Sequence, residues 1–266
     1  MPLSHLPHNS TCDSRSHRRW PAASVAITML VAMPVPCADA AANIVLDQIG
    51  DLAAFDSSLL PSPSPSQIFT DFPEFNCSVL EDFTVTGGDF RIERVSVLLK
   101  AQAGFVMFQE IEGYQVNFFT DVSLAATTLT GDASSIVVQA DDARVTPVDD
   151  AGGEDGYGRV DLDIDVELPG PGSYWVGVSP IAANSVAGQF FVQATTHGDA
   201  GEPNARLANP DGGHGVGPLS IPGHHFAYAV QAVPEPGILS FWFLASGWWL
   251  TRRRRTPHAS GISSKT

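Results

Sequence analysis

Residues 160–168, VDLDIDVEL, alternate strictly between apolar and acidic side chains. Successive side chains of a β-strand point to opposite faces, so the pattern predicts a strand with one buried face and one charged face. The charged face would carry Asp161, Asp163, Asp165 and Glu167 as a ladder of like charges. Such a face is typical of a solvated strand that protects the edge of a sheet.

The rest of the central region shows the same kind of pattern. Seven further segments alternate at period two or form short apolar, β-branched runs, and Gly-rich turns separate them. No long, capped helical pattern interrupts them. The predicted fold is all-β, a single antiparallel β-sandwich of jelly-roll type over residues 43–232. The segments are VLEDFTVT, RIERVSVLLK, YQVNFFTDV, SSIVVQA, SYWVGVSP, GQFFVQATT and HHFAYAVQA.

The predicted domain is strongly acidic. Between Ala41 and Pro236 lie 27 of the 29 acidic residues and six of the 14 basic ones. Nucleic-acid binding needs Lys and Arg on phosphates, so the composition argues against a nucleic-acid partner. It suits a solvated surface that meets cations or neutral glycans.

Residues 1–42 have the parts of a secretory signal peptide. Arg18 and Arg19 belong to a basic segment, residues 20–36 are apolar, and residues 38–40 form an A-x-A cleavage site. The paired arginines leave open a twin-arginine signal, and a cysteine near the cleavage site leaves open a lipoprotein signal. Removal of this segment leaves one cysteine, within NCSVL, which predicts a small buried residue rather than a catalytic thiol.

The C-terminal segment, residues 233–255, reads VPEPGILSFWFLASGWWLTRRRR. A Pro-Glu-Pro triplet at Pro234, Glu235 and Pro236 precedes an apolar run of about 14 residues, about 21 Å as a helix. That is short for a bilayer core of roughly 30 Å. The arginines after it should stay cytoplasmic, with residues 256–266 as a short tail. They are Arg252, Arg253, Arg254 and Arg255.

This order of triplet, short apolar helix and arginines resembles the PEP-CTERM sorting signal of Gram-negative bacteria. The resemblance implies that an exosortase, a membrane-embedded cysteine protease–transpeptidase, recognises the triplet in a host that makes exopolysaccharide. It implies a transient inner-membrane tether and then delivery of the cleaved protein to the cell surface or extracellular matrix. Gly237 after the triplet and the tail after the arginines depart from the usual pattern. An uncleaved, single-span envelope anchor is the alternative.

The central region is similar to an uncharacterised domain often attached to PEP-CTERM tails. The similarity is carried by SQIFTDF, VLEDFTVTGGDFRIERVSV, GSYWVGVSP and the segment from NARLANPDGGHG to HHFAYAV. Glu81 stands where that group often has Asp, and His224-His225-Phe226 where it often has Asp-Leu-Ala. The resemblance implies a β-sandwich and no reaction.

Three sets of residues are candidates for chemistry. Oxygen ligands in the Gly-rich loop DDAGGEDG are of the kind that calcium takes, although the EF-hand spacing is absent. The histidines, residues 197, 214, 224 and 225, are candidates for zinc, although the adjacent pair should point to opposite faces of a strand. The aromatic pairs 118–119, 174–175 and 190–191 are either a sugar-stacking platform or core, and Trp175 is expected in the core. The calcium candidates are Asp149, Asp150, Glu154 and Asp155.

The sequence lacks the common catalytic and nucleotide-binding motifs. Acidic composition, the sorting signal and this lack together predict a non-enzymatic structural or adhesive protein of the cell surface or exopolysaccharide matrix. Calcium is the one cofactor that the sequence suggests. The alternative from another class is a secreted glycan-active hydrolase, which needs only two carboxylates at the right separation.

Overall fold

The computed structural model describes residues 43–50, 62–87, 91–148, 156–197 and 204–233. These ranges contain sixteen strands, one short α-helix, Asn184–Ala187, and two 3-10 helices, Pro73–Phe75 and Val122–Ala126. None of the helices within these ranges has the length and apolarity needed to cross a bilayer. The predicted signal peptide (1–42), sorting triplet and C-terminal apolar segment lie outside the described residues.

In chain order the strands are β1 (Asn43–Asp47), β2 (Ser64–Pro65), β3 (Ile68–Phe69), β4 (Ser78–Val85), β5 (Arg91–Ala101), β6 (Gly113–Phe119), β7 (Ser134–Gln139), β8 (Val145–Val148), β9 (Tyr157–Glu167), β10 (Gly172–Ala182), β11 (Phe190–Val192), β12 (Ala194–Thr195), β13 (Arg206–Ala208), β14 (Leu219–Ser220), β15 (His225–Phe226) and β16 (Tyr228–Val233).

Two seven-stranded sheets contain most of these strands. In the first sheet β9 and then β8 lie on one side of β5, while the other side is shared by β16 with β1 and by β11 with β2. The second sheet has the order β14-β13-β4-β10-β6-β7. All the described pairings are antiparallel except that of β3, which runs parallel to the end of β10. Strands β12 and β15 form a small separate pair.

The inner faces of the two sheets pack on each other and form the main core. Val97 and Val160 of the first sheet belong to the same buried cluster as Val116 and Val176 of the second. The chain is therefore an all-β antiparallel sandwich, as predicted. Trp175, which was expected in this core, is instead half-buried in a smaller cluster on the outer face of the second sheet.

Strand β9 has the predicted apolar inner face and the predicted acidic outer face, but the acidic face is not a ladder of unpaired like charges. The strand pairs with β5 along its length and with β8 at residues 159–162, and arginines form ion pairs with three of its carboxylates. Two of these arginines come from β5, where Arg94 lies directly opposite Asp163 and Arg91 lies diagonal to Asp165, so only the strand pairing could reveal them. The ion pairs are Arg91–Asp165 at 2.7 Å, Arg94–Asp163 at 2.6 Å and Arg159–Asp161 at 2.9 Å.

The ladder between β4 and β10 opens at one position. The strands pair regularly up to Leu80 opposite Gly177. The next residues in register are Val79 and Val178, and here two hydroxyl groups stand between the backbones. Buried backbone N–H and C=O groups must find partners, so these hydroxyls replace a pair of direct hydrogen bonds.

Each hydroxyl bridges one donor and one acceptor. The N–H of Val79 donates to Oγ of Ser66 (3.2 Å), which donates to the carbonyl of Val178 (2.8 Å). The N–H of Val178 donates to Oη of Tyr228 (3.2 Å), which donates to the carbonyl of Val79 (2.9 Å). Because Tyr228 belongs to β16, this bridge also ties the first sheet to the second.

We expect both hydroxyls to be required for full stability. Tyr228→Phe and Ser66→Ala should each lower the free energy of unfolding by about 2 kcal/mol or more, because each leaves a buried N–H and a buried carbonyl without a partner. Ser173→Ala is the matched control, since its exposed hydroxyl contacts Thr84 at 3.4 Å, and should change stability by less than about 0.5 kcal/mol. Urea unfolding of the three variants measures this. Equal effects of Ser66→Ala and Ser173→Ala would contradict the bridging role.

Candidate functional site

The opening between β4 and β10 makes room for a loop, residues 66–77, that forms one wall of a groove. Gln67 and Cys77 close its base with reciprocal backbone hydrogen bonds of 2.9 and 3.0 Å. Within it, the N–H of Phe69 donates to Oδ1 of Asn76 at 2.7 Å. Cys77 is fully buried, and burial raises the pKa of its thiol to about 12, which agrees with the predicted inert role.

The tip of this loop presents aromatic rings to solvent. Phe72 is 44% exposed and Phe75 is 37% exposed, on either side of the 3-10 turn that starts at Pro73. The ring of Phe75 lies edge-on to that of His214, with centroids 5.6 Å apart, and Nε2 of His214 lies 2.9 Å from the carbonyl of Phe75. Phe69, beneath them, lies 6.4 Å from Phe75. The loop that carries His214 thus braces the exposed rings.

The opposite wall is made of amide side chains. Gln102, Asn184 and Gln189 line it, and Oε1 of Gln102 accepts the N–H of Gln189 at 3.0 Å. Asp71 connects this wall to the aromatic loop, since its carboxylate accepts the N–H groups of Asn184 (2.8 Å) and Ser185 (2.9 Å). Desolvation opposes ionisation of Asp71, but hydrogen bonds from Ser185 and Asn184 outweigh it and lower its pKa.

Buried Gln67 fixes the distance between the two walls. Its amide nitrogen donates to the carbonyls of Ala182 (3.3 Å) and Gly188 (3.2 Å), and its amide oxygen accepts the N–H of Phe190 (2.8 Å). Gly188 has a φ of +68°, and a Cβ there would lie 2.4 Å from the ring of Phe105. The turn from 182 to 190 therefore depends on a glycine and on one buried amide.

Together the walls enclose about 380 Å³, within the size range of small-ligand pockets. The lining residues are Phe69, Phe72, Phe75, Gln102, Asn184, Gln189 and His214, with neither a carboxylate nor a Lys or Arg among them. Aromatic faces beside amide donors and acceptors suit a flat, uncharged ligand with many hydroxyl groups. We call this site the aromatic–amide groove.

Sequence reasoning missed this groove, although the segment FPEF carried a signal. Its two phenylalanines flank Pro73 and Glu74 and follow no strand alternation, which is what an exposed aromatic turn would show. The aromatic pairs that were considered as a sugar platform lie elsewhere. Phe118, Phe119, Tyr174 and Phe190 are buried, so the alternative that they form core is confirmed for them.

The candidate metal ligands do not form one site within the described residues. His214 lies in the groove, His225 contacts Glu81, His224 packs against Phe226, and His197 lies beside Gly50. The described part of the chain contains no group of three or more His, Cys, Asp or Glu placed to hold a metal ion. The calcium candidates at 149–155 lie outside the described residues.

A second polar cluster lies inside the sandwich around Glu81, on the inner face of β4. Its fully buried carboxylate accepts hydrogen bonds from the N–H of Phe226 (2.8 Å) and from Nε2 of Gln48 (3.3 Å). It also lies 2.8 Å from Nδ1 of His225. These partners come from the segment after β1 and from β15, so the cluster joins three parts of the chain. Desolvation raises the pKa of Glu81 despite the hydrogen bonds from His225 and Phe226.

No protein-family model matches this chain, and no curated protein matches it at a significant level. Since a sandwich fold supports many unrelated functions, a functional argument has to start from the groove and its chemistry.

We expect Glu81 to make stability depend on pH. Its pKa is higher in the folded than in the unfolded chain, so its contribution to stability is present at low pH and is lost as the pH rises through the folded pKa. The difference in free energy of unfolding between the unmodified chain and Glu81→Gln should therefore grow in favour of the unmodified chain as the pH falls through the raised pKa toward the ordinary value of 4.5. Glu112→Gln, at an exposed position, is the control. A difference that stays constant with pH would refute this expectation.

Proposed function

We propose that this chain is an exported protein of the cell surface or exopolysaccharide matrix, with a non-enzymatic, adhesive role, and that the aromatic–amide groove binds a neutral glycan. The observation that supports the proposal most is the uncharged lining around two exposed phenylalanine rings. A sugar ring offers an apolar face for such rings and hydroxyl groups for the amides.

The engagement of the basic residues favours a neutral over an anionic glycan. All six basic residues of the domain already have partners. Five of these residues are arginines, which form ion pairs or hydrogen bonds to neighbouring carbonyls. Lys100, the sixth, donates to the hydroxyl of Tyr157 at 2.8 Å. An anionic polymer would have to break these contacts and overcome the repulsion of an acidic surface.

The groove favours binding over hydrolysis. Glycosidases use two carboxyl groups about 5–10 Å apart on either side of the scissile bond. The lining of the groove includes no carboxylate, so a hydrolase would need a different site. The lack of carboxylates in the lining also makes the groove a poor calcium site, because hard cations bind through carboxylate and carbonyl oxygens.

Phe72→Ala should weaken binding of neutral exopolysaccharide by about 10- to 100-fold, because burial of a phenylalanine face contributes about 1.5–3 kcal/mol. Co-sedimentation of the full chain with polysaccharide from the native host measures this. Leu124→Ala is the matched control, since Leu124 is 41% exposed and lies outside the groove. Unchanged binding by Phe72→Ala would exclude the groove.

The same assay distinguishes binding through the groove from calcium-dependent binding. Binding through the groove should persist in a chelator. Loss of binding in the chelator, with Phe72→Ala unaffected, would instead assign the glycan site to Asp149, Asp150, Glu154 and Asp155. An anionic polymer that competes as well as a neutral one would overturn the neutral class of ligand.

The proposal includes sorting of the chain by an exosortase, with the inner membrane as a temporary tether. The last strand, β16, ends at Val233, directly before the Pro-Glu-Pro triplet. Asn43, which follows the predicted signal peptide, pairs with Ala232. The first and last strands of the sandwich therefore place the two ends of the domain side by side, which suits a domain held at one membrane surface.

Replacement of Pro234, Glu235 and Pro236 by alanine should block processing. We expect the chain recovered from native cells to lack residues 241–255, and the substituted chain to retain them. Intact-mass measurement of both chains checks this. An unmodified chain that retains residues 241–255 in a host with an active exosortase would support the uncleaved, single-span anchor.

A further inference from the structure

Among the described residues, strand β7 lies at an edge of the second sheet. Among the described strands it pairs only with β6, in six consecutive residue pairs without a bulge. Its sequence, SSIVVQ, contains no charged residue and no proline. The side chains of Ser135, Val137 and Gln139 are exposed, with Val137 at 50%.

The hydrogen-bond pattern shows which backbone groups face outward. In an antiparallel pair, hydrogen-bonded and non-hydrogen-bonded residues alternate. The N–H of Ala140, just after β7, donates to the carbonyl of Glu112 at 3.0 Å, on the β6 side. The register then turns Val138 and Ile136 toward β6 as well. Residues 135, 137 and 139 therefore direct their N–H and C=O groups away from β6, and of these groups the carbonyl of Gln139 already accepts the N–H of Asp142 at 3.1 Å.

The other edges of the sandwich are guarded within the described part of the chain. Strand β8 contains Pro147, which has no N–H, and β1 has a register shift after Ile44 and ends in Asp47. The edge strands β2 and β14 have two residues each, and so does β3. Strand β7 is thus the one regular and uncharged edge of more than five residues in the described ranges.

We propose that β7 pairs with β7 of a second copy of this chain, in antiparallel register across a two-fold axis at Val137. In that register Val137 faces its own counterpart and Ser135 faces Gln139, so the outward groups of both strands can bond one another. The inner side chains of Ile136 and Val138, which pack on the core, would continue as one face across both sheets.

Charge explains why a second copy fits this edge. The chain has a formal net charge of −15, so two copies repel each other wherever acidic faces meet. The uncharged β7 lets the backbones approach without bringing carboxylates of the strand together. Self-association here would join two grooves in one particle, and a bivalent particle can link glycan chains.

Sedimentation velocity of the full chain, in density-matched detergent and up to about 1 mM, tests the pairing, since small interfaces are often this weak. We expect a concentration-dependent dimer that Val137→Lys abolishes, because the two lysines would face each other. Val216→Lys is the matched control, since Val216 is 42% exposed and lies outside β7, and it should dimerise like the unmodified chain. A monomer at every concentration, or equal dimers from both variants, would overturn the proposal.

A cross-linking test fixes the register. In a full chain with Cys12→Ser and Cys37→Ser, the substitution Val137→Cys should give a covalent dimer with a short bifunctional maleimide, because facing residues of a hydrogen-bonded pair have Cα atoms about 5.5 Å apart, within reach of such a linker. Val216→Cys in the same background should not. A dimer that forms without this cross-link would contradict pairing through Val137. Neither readout depends on glycan binding, so failure here leaves the groove proposal untouched, and Phe72→Ala should dimerise normally.

Discussion

The position of the aromatic–amide groove depends on one residue pair of the second sheet whose backbone groups hydrogen-bond to side-chain hydroxyls instead of to each other. The regular pairing ends at Leu80 and Gly177, and the hydroxyls of Ser66 and Tyr228 supply the hydrogen bonds of the next pair in register, Val79 and Val178. Four buried backbone groups would otherwise be unpaired, at a cost that few domains tolerate. The inserted hydroxyls let β10 leave β4 and accept β3 instead. This exchange of partners places the aromatic loop.

The groove that results is neutral on an acidic protein. Its walls are set by polar groups that do not line it. Gln67 and Asp71 hold the amide wall, while Phe72 and Phe75 remain partly exposed to solvent. Because other residues fix the walls, the lining of the groove is preorganised and need not rearrange when a ligand binds. The buried carboxylate of Glu81 holds the segments after β1 and around β15 from inside the sandwich in the same way.

Charge placement connects these features. The arginines of β5 and β9 pair with three carboxylates of β9, so these bases already have partners on the surface of the first sheet. What remains for recognition is uncharged, in the groove and along β7. Uncharged surfaces of this kind are the basis of the two proposals, a neutral glycan for the groove and a second copy of the chain for β7.

The sequence by itself determined the class of fold and the inward face of β9, because period-two alternation reports the side on which a strand is buried. It also indicated Cys77 as a buried residue. It could not reveal the ion pairs of β9, the inserted hydroxyls or the groove. Asp163 and Arg94, Ser66 and Val178, and Phe75 and His214 are far apart in the chain, and their contacts exist only once register and sheet packing are set. The local alternation of the sequence predicts which side chains are buried, whereas the pairing of distant strands decides which polar and aromatic groups are in contact.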